Sequence, residues 1–336
     1  MTLRRIAGAD VLCPGTGLDG KRDLWIEDGI LRLAPPAREA DETIDADGLL
    51  AVPGFIELHA HLREPGFTES ETIATGLAAA LAGGYTAVFC MPNTRPANDE
   101  PAVTKLMLDA AKDSPVRLFP VTAATRGLGG TELADYAAQR EAGAGGVSDD
   151  GLPILDDDVM RRAMAAAAAA GLPIMDHATH HPAPGGGVIH DGPRAAELGV
   201  PGLPREEEDE LIRRNVRLSA ETGCPVHITH ISTAGGVAAV RDAQARGLPV
   251  TAEAAPHHLL LTDADVTGPD FKMNPPLREE SDRTAVVAAL ADGTIGAVAT
   301  DHAPHSPEKK ARGLATAPFG VIGMESAFAA VYTGLV

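Results

Sequence analysis

Residues 53–66, PGFIELHAHLREPG, pass from a Pro-Gly turn through a short apolar run into a knot of polar residues. The run has the composition of a buried strand, and along a strand side chains two apart share a face. His59 and His61 therefore converge, at the end of a segment that otherwise reads as the wall of a core. An isolated His-x-His is explained as well by two packed, hydrogen-bonded imidazoles as by a metal. The choice rests on whether the rest of the chain repeats the pattern.

Apolar runs recur as YTAVFCM from Tyr85, VRLFPVT from Val116, AGGVSD from Ala144, LPIMDH from Leu172, PVHITHI from Pro225, LPVTAEA from Leu248 and IGAVATDH from Ile295. Together with LLAVPGFIELHAH from Leu49 they make eight candidate strands. Between them lie helix formers such as VMRRAMAAAAAAG and EEEDELIRRNVRLSAETG, the second closing on Gly223 as a C-cap. Strands alternating with helices predict an α/β fold, and eight units predict a (β/α)8 TIM-type barrel. The strand ends deliver His59, His61, Asn93, Asp150, His177, His230, His257 and Asp301. Active sites of such barrels lie at the C-terminal ends of the strands, so this recurrence points to a site rather than to decoration. Residues 1–50 read differently: RDLWIEDGILRLA predicts a hairpin about Asp28-Gly29, and ETIDADGLLAVPG another extended piece. The expected organisation is a small N-terminal β side-domain over 1–50 and the barrel over 51–336. The Gly- and Pro-rich loops HATHHPAPGGGVIHDGP and HAPHSPEKKARGLATAPFG are expected over the barrel mouth.

Composition narrows the partners. A net charge of −19 over 336 residues argues against nucleic acid or an anionic membrane. No apolar run is long enough to span a bilayer, the start has no apolar core of signal-peptide length, and a soluble cytoplasmic protein is expected. Cys13, Cys90 and Cys224 form no Cys-x-x-Cys pair, which disfavours a disulfide framework or a cysteine-rich zinc site. A small anionic substrate would have to be held by a few local cations or by metal.

Four histidines at the ends of three strands (His59, His61, His177 and His230) favour metal over packing, and imidazole suits zinc. His227, three residues before His230, is expected to face the other way and to pack in the wall. Ser-Asp-Asp-Gly around Asp150 reads as a turn when taken alone. Two ions, however, need a bridging anion to offset their repulsion. No lysine lies between Lys112 and Lys272 to serve as a carboxylated bridge, so Asp150, in preference to Asp149, is the candidate. Asp301 at the eighth strand end is costly unless paired or metal-bound, and could also exchange protons with water and substrate. His302 is read as structural and His305, further into the loop, as a substrate contact.

The motifs GFIELHAHLREPG, CMPNT, VSDDG, HITHIST, TAEAAPHHLLLT, FKMNPPLR, VATDHAPH and APFGVIGMES together resemble the class I dihydroorotases of the amidohydrolase superfamily, in order from about residue 50 to 330. The resemblance implies a metallohydrolase barrel that interconverts N-carbamoyl-L-aspartate and dihydroorotate in pyrimidine biosynthesis. It implies metal-activated water as nucleophile and Asp301 as general acid and base. It also implies Zn2+, two ions per subunit, held by His59, His61, Asp150, His177, His230 and Asp301. Arg63, Asn93, Asn274 and His305 take the substrate-binding positions, with Arg63 forming a bidentate pair to a carboxylate. A homodimer and an association with aspartate carbamoyltransferase are further expectations.

Two features depart from the family pattern. Thr179 and His180 stand where an acidic pair is usual, which bears on the surroundings of His177. The chain also stops at AFAAVYTGLV, so the last barrel helix is expected to be cut short and the C-terminal part of the side-domain missing. Two rival readings remain. One is an allantoinase or hydantoinase-type cyclic amidohydrolase, disfavoured by Arg63 and the lysine-free stretch. The other is a non-catalytic scaffold partner of aspartate carbamoyltransferase, disfavoured by the complete ligand set.

Overall fold

A computed structural model describes residues 2–179 and 186–336, so His180 lies outside the described residues. The chain divides into two compact units, Met1–Phe55 and Ile56–Val336. The first carries β1 (Leu3–Cys13), β2 (Leu18–Glu27), β3 (Ile30–Arg32), β4 (Glu42–Asp45) and β5 (Leu50–Ala51). β1 and β2 are antiparallel, β2 and β3 form the hairpin expected from the sequence, and β4 and β5 both run parallel to β1. The hairpin turns on Asp28 and Gly29, both at positive φ (50° and 81°), the conformation a two-residue turn between right-twisted strands demands. A small apolar core of Ala9, Val11, Leu24 and Ala46 holds this sheet.

The second unit is built on eight strands: β6 (Phe55–Ala60), β7 (Tyr85–Cys90), β8 (Arg117–Ala123), β9 (Gly146–Ser148), β10 (Ile174–Asp176) and, after a two-stranded insertion of β11 (Ile189–His190) and β12 (Gly202–Leu203), β13 (Val226–Ile228), β14 (Val250–Ala254) and β15 (Ala297–Val298). They neighbour one another in sequence order, and the paired registers are parallel. The first and last strands meet through a parallel bridge between Ala60 and His302, where His61 N–H donates to the His302 carbonyl at 2.8 Å. The ring of strands is a TIM-type barrel.

The covering helices follow local chemistry. The alanine-rich helix Asp157–Ala170 starts at Asp156, whose side chain accepts the N–H groups of Asp158 and Val159, and stops at Gly171 in the left-handed region. It buries Val159, Met160, Ala163, Met164 and Ala167, a three-and-four spacing that lays one stripe on the core. Helix Arg205–Thr222 ends at Gly223 (φ 70°), the cap read from the sequence. Pro53-Gly54 separates β5 from β6, so the segment read as one strand from Leu49 is two elements. Among the described residues, no helix is long and apolar enough to cross a membrane.

Candidate metal centre

Each candidate metal ligand stands at or just past the end of a barrel strand, and two of them sit at unusual backbone angles. His230 follows β13 at φ 35° and Asp301 follows β15 at φ 49°, left-handed values uncommon outside glycine. Arg63, two residues beyond His61, is a third at φ 62°. His59 and His61 share the inner face of β6, their ring centroids 5.3 Å apart.

Two groups of ligand atoms result, His59 with His61 and Asp150, and Asp150 with His177 and His230. His59 Nε2 lies 3.1 Å from Asp150 Oδ1 and 3.7 Å from Asp301 Oδ1. His61 Nε2 lies 3.4 Å from Asp150 Oδ2 and 3.2 Å from Asp301 Oδ1. On the other side His177 Nδ1 and His230 Nε2 are 3.5 and 3.8 Å from Asp150 Oδ1 and 2.9 Å from each other. A tetrahedral ion with bonds of about 2.0–2.1 Å separates its ligands by about 3.3 Å, so these spacings suit a metal better than ordinary hydrogen bonding. Buried atoms left without a hydrogen-bond partner point the same way: His59 Nε2 and Asp150 Oδ1. The donor set therefore fits divalent metal, and Asp150 is the residue common to both groups.

Electrostatics reinforce the cluster. Burial opposes ionisation of Asp150, but His59 and His61 outweigh it and hold the carboxyl well below its usual range. Asp301 behaves alike: burial works against it, and His61, His59 and His230 draw it down. His59 is raised well above the usual imidazole value in spite of its burial, by Asp150, Glu253 and Asp301.

The remaining candidates surround a cavity of about 140 Å³ lined by His61, Arg63, Asn93, Asp150, His177, His230, Asn274, Asp301 and His305, with Phe319 and Gly320 from the loop after β15. His59, fully buried, stands behind it. His61 Nδ1 lies 2.9 Å from Asn93 Oδ1; as donor to that acceptor it leaves Nε2 for the centre. The Asn274 amide lies 3.0 Å from His177 Nε2 and turns His177 Nδ1 toward Asp150. Arg63 Nε donates to the Pro304 carbonyl at 3.0 Å. His305 Nε2 is 2.7 Å from the Phe319 carbonyl and so must be its donor. That nitrogen cannot also accept from Arg63 Nη2 at 3.3 Å, and Arg63 is among the residues that line the cavity. Burial and then Arg63 push His305 down to about 4, keeping it neutral.

His302 is structural as read: Nε2 contacts Glu71 at 3.2 Å and Nδ1 accepts Gly323 N–H at 3.2 Å. His227 pairs with the neighbouring strand, Nε2 at 2.9 Å from Glu253 Oε2 and Nδ1 at 2.8 Å from Thr251 Oγ1, and is not among the residues lining the cavity. Sequence reasoning missed Glu253 and Glu57, both fully buried. An acid inside an apolar strand, costly unless partnered, was the available signal. Glu57 precedes His59 by two residues and shares its face.

The family pattern and the sequence relatives point to one family. The Dihydro-orotase-like family pattern matches residues 48–235. A dihydroorotase of Anaeromyxobacter dehalogenans (strain 2CP-1 / ATCC BAA-258) is 47% identical over 98% of this chain and 78% of its own length. One of Pelotomaculum thermopropionicum is 46% identical, again over 98% of this chain and 78% of its own length. Among solved structures, an L-hydantoinase (dihydropyrimidinase) from Arthrobacter aurescens superposes with a TM-score of 0.85 over 98% of this chain and 76% of its own, at 23% identity; that likeness concerns the fold.

Proposed function

The chain belongs to the dihydroorotase-like family, and on that premise we propose that it interconverts N-carbamoyl-L-aspartate and dihydroorotate, in the cytoplasm, in pyrimidine biosynthesis. The observation that carries this reading is that Arg63 lines the same cavity as Asp150 and Asp301, which sets a guanidinium next to a metal-ligand cluster. Zn2+, two ions per subunit, held by His59, His61, Asp150, His177, His230 and Asp301, would lower the pKa of water and polarise the scissile amide carbonyl.

Arg63 receives the substrate carboxylate in a bidentate pair, and Asn93, Asn274 and His305 complete its surroundings. In the hydrolytic direction Asp301 takes the nucleophile's proton and delivers it to the departing ring nitrogen. In the cyclising direction the same carboxylate removes a proton from the ureido nitrogen. Asp301 lines the cavity, where that exchange would take place.

Because the solved structures with this fold include hydantoinases, the second reading is a hydantoinase or allantoinase. Zinc-loaded protein assayed on dihydroorotate, hydantoin and allantoin side by side separates them. Turnover of dihydroorotate alone, abolished by chelation and by Asp301→Asn, is expected, whereas preference for hydantoin or allantoin would overturn the assignment. A homodimer and an association with aspartate carbamoyltransferase extend the proposal on the strength of the family resemblance, and light scattering of the protein alone and mixed with that enzyme reads both.

A further inference from the structure

Beneath the candidate centre lies a carboxylate that the reaction above does not use. Glu253 of β14 is fully buried. Its Oε1 lies 3.3 Å from His59 Nδ1, within ion-pair distance, and neither atom has a hydrogen-bonding partner in the structure. Its Oε2 lies 2.9 Å from His227 Nε2, and His227 Nδ1 in turn lies 2.8 Å from Thr251 Oγ1. Thr251 and Glu253 are two apart on one strand and share a face, and His227 pairs in register with Thr251 on the neighbouring strand. One oxygen of Glu253 is thus anchored by His227, and the other is presented to the back of His59. Glu57 does not compete for that ring, since its carboxylate accepts the backbone N–H groups of His59 and Thr300.

The two halves of the centre differ in what stands behind their imidazoles. His61 is backed by the Asn93 amide and His177 by the Asn274 amide, both neutral. His230 Nδ1 has no partner among the described residues. Among the described residues, only His59 has a carboxylate behind it. A carboxylate on the far nitrogen fixes which nitrogen bears the proton, locks the ring and raises its basicity as a ligand.

We propose that Glu253 is the positioning residue of the centre: it holds His59 with the proton on Nδ1 and Nε2 free for metal, and so makes the His59–His61 half the tighter of two unequal ion sites. The proposal rests on the two-ion reading given above. His227 and Thr251 hold Glu253 in place and never meet the ion.

The test is a titration of metal-free protein with Zn2+ against a chromogenic chelator, repeated with Co2+ so that absorption distinguishes the two halves. The unaltered protein should show two affinities. Glu253→Ala should weaken the tighter by about ten- to a hundredfold and the weaker by no more than about threefold. A variant with its tighter constant unchanged, an equal loss in both, or an unaltered protein with two equal sites would overturn the proposal. Should Glu253→Ala fail to fold, Glu253→Gln decides, since it keeps the volume and one acceptor oxygen. A loss of about threefold or more confined to the tighter ion supports the role, and no loss refutes it. An unaltered protein that binds no zinc removes the two-ion reading itself, an outcome distinct from all of these.

Discussion

The carboxylate of Glu57, on the first barrel strand, accepts the backbone N–H of Thr300, just past the last, at 2.9 Å. The same oxygen accepts His59 N–H at 2.9 Å, so one buried side chain ties the barrel seam to the backbone of a candidate ligand and to the residue before Asp301. Burial pushes Glu57 up to about 7, against the backbone donors of His59 and Thr300. Glu57→Ala leaves two buried N–H groups without acceptors, at about 1–3 kcal/mol each. Urea unfolding should therefore show a loss of about 2–6 kcal/mol, with Glu57→Gln losing less because one acceptor oxygen remains. Wild-type stability in Glu57→Ala would remove the clasp from the account.

Arg63 divides its guanidinium between the Pro304 carbonyl and the cavity. Lysine can serve one of these directions but not both, and cannot make a bidentate pair. Arg63→Lys should therefore raise KM, by about ten- to a hundredfold for loss of one charge-assisted hydrogen bond of about 1.5–3 kcal/mol, and change kcat less. Steady-state kinetics on dihydroorotate check this, and an unaltered KM would take Arg63 out of the substrate site.

Chelation should cost stability as well as activity. With no ion, Asp150 and Asp301 share a buried cluster with four imidazoles, two of which approach each other at 2.9 Å. An ion that binds only the folded chain stabilises it by about 2.7 kcal/mol at a hundredfold excess over Kd. Thermal unfolding should shift downward by several degrees on treatment with a chelator and return on adding Zn2+. An unfolding curve indifferent to chelator would count against a metal centre at these residues.

Legibility in the sequence followed the range of the interactions. The Asp28-Gly29 hairpin and the Gly223 cap are local, written in residues adjacent to the elements they end. His59, His61, His177 and His230 were legible because strand periodicity and the barrel rule place strand ends together. Glu57 and Thr300 are 243 residues apart, and no local pattern announces their bond. Glu253 lies in a strand whose alternation reads as ordinary wall, and its meaning depends on His59, two strands away around the ring through β15.

Acid should destabilise the protein from a higher pH than its carboxylates explain. His257 is buried and pushed down to about 4, first by burial, with His230 adding to the effect and Asp301 opposing it. His258 is drawn well below its usual value by burial and by His257, and its Nε2 lies 2.9 Å from the Pro275 carbonyl. Both groups are therefore neutral in the folded chain and protonate readily, near about 6.5, once it unfolds. With folded values below unfolded ones, the unfolded state binds more protons as pH falls; the stability is complete above about 6.5 and is lost between there and about 4. For His257 alone the loss between pH 7 and pH 5 is about 2 kcal/mol. Urea midpoints of the metal-free protein, which exclude proton-driven metal release, should fall across this window, and His257→Gln should flatten the slope by nearly one proton. A midpoint constant from pH 7 to pH 5, or a slope unaffected by His257→Gln, would show that these imidazoles are not held neutral.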